Sequence, residues 1–498
     1  MKILVMGATG YVGGRLVPLL ADAGHDVRCL TRRPEKLGGV PWAGSVEIVA
    51  GDALNRRSLD GAMVGIEVVF YLVHSIGTGA DFEESDRVAA RHTAEAAAEA
   101  RVSRIVYLGG LVPTGETASA HLASRAEVGQ IFLDGSVPAV VLQAGVIIGS
   151  GSASFEMLRY LTERLPVMVT PKWVRSLVQP IAVSDVLAYL AGSLELPAGL
   201  NRRFDIAGPD VVSYREMMQR YAAVAGLTRR VIIPVPVLSP WLSSQWVNVV
   251  TPVPKAIAQP LIESLRNNAV AHEHDIEALL PFALCPFDEA LRLALESVRR
   301  ADVSTRWSGA HWPGAPSDPM PTDPDWSGGT THRDERSKPI DVDVADVWRA
   351  IEGIGGERGW YSFRLAWALR GLMDRLVGGV GLRRGRRDPD RLIVGDAVDF
   401  WRVEALERPT LLRLRAEMKL PGEAWLEFTI SYDDGTKEDG RPVLHQRALF
   451  IPHGLAGQLY WLTIIPLHNI VFGSMISNLA RGVRPAEVPA GGSVGDER

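Results

Sequence analysis

The feature that most narrows what this chain can fold into is a glycine-rich turn directly after its first apolar run. Ile3–Met6 leads into Gly7-Ala8-Thr9-Gly10-Tyr11-Val12-Gly13-Gly14, and a helical pattern continues from Tyr11 to Ala23. At a strand-to-helix junction, glycines at this spacing make a tight turn, let the main chain approach a ligand, and let the helix press against the strand. The first helical turn then offers unpaired N–H groups to an anion. The pattern therefore predicts a dinucleotide pyrophosphate site formed by Gly7, Ala8, Thr9, Gly10, Tyr11, Val12 and Gly13.

The chain beyond this turn keeps the matching rhythm. Strand-like runs at Asp26–Leu30, Val46–Ala50, Val68–Val73, Arg104–Leu108 and Ala139–Gln143 alternate with helical patterns around Asp86–Ala100 and Ser124–Asp134. Such alternation predicts an α/β, Rossmann-like, doubly wound parallel sheet with helices on both faces. The mixed, proline-punctuated stretch after these runs suits a substrate lobe, so residues 1–300 are read as one domain. Residues 301–335, rich in Pro, Gly and Asp and carrying Trp307, Trp312 and Trp326, read as a connector. From 336 to 485 the order changes to α+β. Helical patterns at Asp343–Ile354 and Ser362–Val377 precede strand-like runs at Ala397–Ala405, Thr410–Leu420, Ala424–Tyr432 and Val443–Phe450, then one long apolar helix. Residues 486–498 read as a disordered tail.

Composition narrows the function classes. The 498 residues carry 53 Lys+Arg against 58 Asp+Glu, a formal charge of −5, which gives no reason to expect nucleic acid as a partner. Cys29 and Cys285 form no disulfide framework, so a reducing, cytoplasmic setting is expected. Two stretches lack Asp, Glu, Lys and Arg. Val231–Pro254 holds too many prolines to span a bilayer, and Ala448–Ala480 places His453, Gln458, Pro466, His468 and Asn469 within its length. A peripheral or integral position at the inner face of the cell membrane is the alternative, and is not favoured. The partner expected is a small apolar substrate or ligand, and the sequence leaves the oligomeric state open.

At the end of the second strand, where an acidic residue would bond the ribose 2′-hydroxyl of NAD, the chain has Thr31-Arg32-Arg33. Guanidinium groups suit a 2′-phosphate, which favours NADP(H) over NAD(H). After the third strand, Asp52 and Ala53 sit at the adenine end, where the carboxylate suits either an adenine amino group or a helix N-cap.

The Gly7/Gly10/Gly13 spacing, Asp52, "YLVHSIG" at Tyr71–Gly77 and "RIVYLGGL" at Arg104–Leu111 together resemble the short-chain dehydrogenase/reductase superfamily, and more closely its atypical, NmrA-like NAD(P)-binding branch. The resemblance covers about residues 1–300. It implies that Leu72, Val73 and His74 lie along the cofactor and that Tyr107, Leu108 and Gly109 border the nicotinamide. Active members use a Tyr and a Lys four residues apart with an upstream Ser. Here the corresponding segment is His121-Leu122-Ala123-Ser124-Arg125, and the serine position falls at Gly109-Gly110. His121 is the candidate proton-exchanging group near neutral pH, and Arg125, one turn on, the ribose-binding group. Thr114, Glu116, Ser119 and Ser124 are alternatives that spacing does not rank. Gly145–Ser152 and Val178–Val186 resemble the superfamily's later strands. There Ser152, Ser154 and Gln179 suit either ligand contact or helix and turn capping.

The segment Arg447–Ile476 resembles an uncharacterised family often fused to such reductase-like domains and related to the START-like helix-grip fold. That resemblance implies a long helix across a curved antiparallel sheet, with Tyr460, Trp461, His468 and Phe472 lining a ligand pocket or simply filling the core. The basic run Arg383-Arg384-Gly385-Arg386-Arg387 reads as a solvated loop. His445, His453 and His468 lack metal-ligand spacing, and no metal is expected. Two functions fit these residues. One is an NADP(H)-binding oxidoreductase that transfers hydride on a hydrophobic small molecule without the usual Ser/Tyr/Lys triad. The other is a catalytically silent NAD(P)H-binding sensor or assembly protein with a ligand-binding C-terminal domain.

Overall fold

The computed structural model describes residues 1–74, 82–113, 119–235, 255–265, 267–304, 330–361, 388, 390–432 and 440–482. The chain divides into two units, Met1–Gly329 and Thr330–Arg498.

In the first unit, β1 (Lys2–Met6), β2 (Asp26–Thr31), β3 (Glu47–Ala50), β4 (Val68–Tyr71), β5 (Arg104–Gly110), β6 (Ala139–Ala144) and β7 (Arg202–Ile206) form one sheet in the order β7-β6-β5-β4-β1-β2-β3. Every pairing in it is parallel. The chain winds outward from β1 in one direction and from β4 in the other, so the β1/β4 boundary is a topological switch point, where such sheets bind ligands. Strand alternation builds both faces. Ile3, Val5, Val68, Phe70, Val140 and Leu142 pack with α1 (Tyr11–Asp22), while Leu4, Met6, Val69, Tyr71, Ala139 and Val141 pack with α2 (Arg56–Met63) and α3 (Phe82–Glu99). The helix α4 (Ala120–Asp134) starts earlier than the pattern Ser124–Asp134 suggests, because Ser119 caps it by accepting from the Leu122 N–H. His121 and Arg125 consequently lie on its first two turns. The helix α6 (Val183–Gly192) joins α1 in the first core through Val186 and Leu190, while a separate core, including Phe155, Met217 and Tyr221, unites α5 (Ala153–Arg164) and α7 (Tyr214–Val224) with shorter strands into the lobe beyond the sheet.

The second unit is an antiparallel sheet of β8 (His332–Pro339), β9 (Ala397–Val398), β10 (Trp401–Glu407), β11 (Leu411–Ala416), β12 (Gly422–Tyr432) and β13 (Pro442–Pro452), ordered β8-β13-β12-β11-β10-β9. Among the described residues two α-helices accompany it, α8 (Val344–Glu352) and α9 (Gly454–Ala480). Phe472, Met475, Ile476 and Leu479 of α9 join Leu412, Leu426 and Leu444 of the sheet in one core. Pro466 lacks the N–H that would continue the ladder, and the helix bends by 57° between Gly454–Pro466 and His468–Ala480. Among the described residues no single helix is long and apolar enough to cross a membrane, although this bent pair passes that test by length and composition.

Strand β8 is not evident in the sequence, and it places residues 332–335 in the sheet rather than in the connector. The helix expected at Ser362–Val377, the basic run Arg383–Arg387, the tail 486–498 and most of the connector lie outside the described residues, as do Thr114 and Glu116.

Phe70 is fully buried at the centre of the parallel sheet. Replacing Phe70 with Ala should destabilise the first unit by about 3–5 kcal/mol, read as a shift in its urea unfolding midpoint.

Candidate functional site

The carboxyl ends of β1, β4, β5 and β6 open into a cavity of about 450 Å³. Gly7, Gly10, Tyr11 and Gly13 form one side, Leu72, His74, Leu108 and Gly109 the floor, and His121 and Arg125 the flank. Beyond them the walls turn apolar, with Met157, Leu158, Leu161, Trp173, Met217 and Met218.

The glycine turn is fixed by backbone crowding. Gly7 adopts a φ of +95°, and a Cβ there would stand 2.7 Å from the Leu72 carbonyl oxygen. At Gly13 an added Cβ would stand 2.2 Å from the Gly7 carbonyl oxygen. Gly10 occupies the N-cap of α1 and supplies no side-chain cap, so the helix's first N–H groups keep their capacity for an anion. A dinucleotide pyrophosphate fits this cradle. Arg15 braces it from behind: buried on α1, it donates to the Tyr11 carbonyl at 3.0 Å and to the Ser150 carbonyl at 3.4 Å, and lies 4.1 Å above the Tyr11 ring centroid. Sequence reasoning missed this arginine. The available signal is a lone cation four residues after Tyr11, on the helix face that also carries apolar residues.

The other expected cofactor residues follow the same sheet edge, but not all reach the cavity. Ala8, Thr9, Val73, Thr31, Arg32, Arg33, Asp52 and Ala53 lie outside its lining. Thr31 ends β2 and its Oγ1 accepts from the Arg33 N–H at 3.1 Å. Arg32 and Arg33 are exposed, with no ion-pair partner among the described residues. Asp52 is not the N-cap of α2, a position held by Asn55. Its Oδ1 accepts instead from the Leu54 N–H at 3.0 Å.

At the flank, Arg125 donates to the Leu108 carbonyl at 2.6 Å, which ties α4 to the end of β5. Burial, the Arg125 charge and nearby His74 together push His121 down to about 3. Although much of His74 is exposed toward the cavity, the protein around it removes enough solvent, with Arg125 adding repulsion, to push it down to about 4. Proton exchange by His121 near neutral pH, the sequence expectation, therefore meets an environment that keeps the imidazole neutral. Tyr107 does not replace the missing tyrosine. It is buried behind the site, its hydroxyl donates to the Arg125 carbonyl at 3.2 Å, and burial raises its pKa. Nor does Tyr71, which is likewise buried, with burial, followed by the Asp86 charge, raising its pKa.

The remaining candidates divide. Ser154 lines the cavity, and so does Ser152, whose hydroxyl is engaged in capping α5 through the Phe155 N–H at 3.2 Å. Gln179 is structural, donating to the Gly208 carbonyl at 2.8 Å and accepting from the Ala271 N–H at 3.1 Å. Ser119 pairs with Ser264 and Ser124 donates to Asp86.

A glycine cradle at the switch point of a parallel sheet defines a dinucleotide-binding unit. The NAD(P)H-binding family model matches residues 7–134, and a family of proteins of unknown function (DUF2867) matches residues 326–475. The (4-alkanoyl-5-oxo-2,5-dihydrofuran-3-yl)methyl phosphate reductase of Streptomyces griseus is 33% identical over 232 residues, 45% of this chain and 74% of that protein. Ceramide reductase of Caulobacter vibrioides is 30% identical over 235 residues, 46% of this chain and 72% of its own. Among solved structures, Citrobacter sp. triphenylmethane reductase complexed with NADP(H) is similar at 23% identity and a TM-score of 0.48, over 59% of this chain and 100% of that one. The chain thus belongs, through its N-terminal unit, to the NAD(P)H-binding Rossmann-like reductases.

Two outcomes test the site. Gly13→Ala, which forces the turn apart, should abolish nucleotide binding measured by calorimetry while circular dichroism retains the sheet signal. Between pH 6.5 and about 4 the unfolded chain binds protons that folded His74 and His121 refuse, so stability falls as the pH falls through this window. His121→Gln should make the melting temperature fall less steeply there.

Proposed function

We propose that the protein is an NADP(H)-preferring reductase of the atypical, NmrA-like kind that acts on a carbonyl or conjugated double bond of a hydrophobic small molecule. The observation that carries this is the continuity of one cavity from the glycine cradle, past His121 and Arg125, to a wall of Met, Leu and Trp side chains. The glycine turn and the first N–H groups of α1 would hold the pyrophosphate, Arg32 and Arg33 the 2′-phosphate, and Leu72–His74 with Leu108–Gly109 the nicotinamide end. When bound, the reduced nicotinamide supplies a hydride.

The chain's own contribution is electrostatic. His121, neutral at physiological pH, donates an N–H hydrogen bond to the substrate oxygen and stabilises the charge that develops there, as a preorganised donor rather than a proton source. The resulting oxyanion takes its proton from water through the cavity mouth. Arg125, anchored on the Leu108 carbonyl, directs its other N–H groups to the ribose and keeps His121 uncharged. The apolar walls hold the substrate and exclude water from the reacting face. The names of the relatives, a ceramide reductase among them, agree with an apolar carbonyl compound as substrate. The C-terminal unit, with its antiparallel sheet and long helix, supports a START-like helix-grip reading.

The replacement of the usual Tyr and Lys by His121 and Arg125 favours a second reading, a silent NAD(P)H sensor or assembly protein. Calorimetric titration with NADPH and NADH, followed by NADPH oxidation against a panel of apolar ketones and enones, separates the two. Tighter NADPH binding, weakened by about 1.5–3 kcal/mol in Arg32→Ala or Arg33→Ala, is expected. His121→Phe should lower kcat by about 10²–10³-fold with the NADPH Kd unchanged, and the wild-type rate should show no histidine inflection between pH 5.5 and 8. NADPH binding without oxidation of NADPH by any substrate in the panel would favour the sensor, and absence of nucleotide binding would defeat both readings.

A further inference from the structure

The second unit has a cavity of its own, about 130 Å³, between α9 and the sheet. Trp461 and Phe450 form its aromatic wall, their rings stacked at 5.7 Å and 12°, and His332 stacks on Trp461 at 4.8 Å. An apolar cavity of about 150 Å³ takes up benzene, so this one is the size of a single ring.

One corner is polar, and it is built. His468, which lines the cavity, has Nδ1 2.9 Å from Asp334 Oδ2. Arg336 grips the same carboxylate twice, through Nε to Oδ1 and Nη2 to Oδ2, both at 2.8 Å. Burial opposes the charge on Asp334, but the hydrogen bonds from His468 and Arg336 outweigh it and hold the carboxyl below its usual range. An ionised carboxylate only accepts, so in the neutral ring the hydrogen sits on His468 Nδ1 and the lone pair falls on Nε2. Among the described residues Nε2 has no partner. The bend at Pro466 sets His468 at the start of the second half of α9, where its ring also meets Phe472 at 4.0 Å and Trp461 at 5.1 Å. A lone pair fixed in direction by an Asp–Arg pair, at the edge of an otherwise aromatic and aliphatic cavity, calls for a ligand with one hydroxyl.

We propose that this cavity binds a single-ring phenol, its ring packed on Trp461 and Phe450 and its O–H donated to His468 Nε2. The site is separate from the nucleotide cleft and does not rest on the reductase reading.

The test is calorimetric titration of the full-length protein with p-cresol, 4-methylanisole, which lacks the O–H, and cyclohexanol, which lacks the aromatic ring. Variants are His468→Leu and Ala424→Leu, the latter placing a larger side chain into the cavity lining. Saturable p-cresol binding is expected, about tenfold tighter than 4-methylanisole and cyclohexanol, with the tenfold advantage over 4-methylanisole erased in His468→Leu and all binding lost in Ala424→Leu. Equal affinity for p-cresol and 4-methylanisole in the wild-type protein would overturn the hydroxyl assignment without recourse to any variant. Equal affinity for cyclohexanol would overturn the aromatic one. Absence of p-cresol binding, or binding that survives Ala424→Leu, would overturn the site.

Discussion

The approach of Gly13 to the Gly7 carbonyl is the contact on which the first unit turns. It sets α1 close against the end of β1, and through that closeness the helix N-terminus, the carboxyl ends of β4 and β5 and the first turns of α4 come to face one space. Any side chain at Gly13 would drive α1 outward and separate those parts. The crowding is entirely main chain, so no neighbouring side chain can shift to relieve it. Arg15 adds a polar brace that converts a steric fit into a directional one, bonding the turn to the Ser150 carbonyl.

Much of this was legible in the sequence because each signal was local. The glycine turn, the β-branched runs and their spacing each depend on residues within one element, and the parallel sheet follows from their alternation. What was not legible depends on partners distant in sequence. Strand β8 reads His-Arg-Asp-Glu-Arg-Ser-Lys-Pro, a run with no apolar member until Pro339. It is held by an eight-residue register with β13, from His332 opposite Phe450 to Pro339 opposite Val443. Hydrophobic alternation cannot announce a strand whose side chains make ion pairs and ring stacks. The environment of His121 was hidden for a similar reason. Its spacing from Arg125 was visible, but the burial that strips its charge and the contribution of His74 come from three-dimensional packing.

The two units handle histidine in opposite ways. In the nucleotide cleft, burial and a neighbouring guanidinium disfavour the imidazolium, so the rings offer dipoles rather than charge. In the C-terminal unit, a carboxylate already satisfied by Arg336 orients His468 and leaves one ring nitrogen with a definite role. In each, an arginine stands behind what the histidine can do: Arg125 adds to the burial that keeps His121 neutral, and Arg336 holds the carboxylate that orients His468. The chemistry legible from residue type alone, a histidine near neutral pH, is therefore a poor guide here without the identity of the cation behind it.

The composition of β8 has one more consequence. An antiparallel sheet exposes a row of unpaired main-chain groups at each border, which invites pairing with a strand from another molecule. Among the described residues one border is β9, only two residues long, and the other is β8, studded with Arg333, Asp334, Glu335, Arg336 and Lys338. A foreign strand would find too little backbone on one side and would have to accommodate a line of charges of both signs on the other. The same residues that concealed the strand from a reading of hydrophobicity thus guard the C-terminal sheet against growing from molecule to molecule.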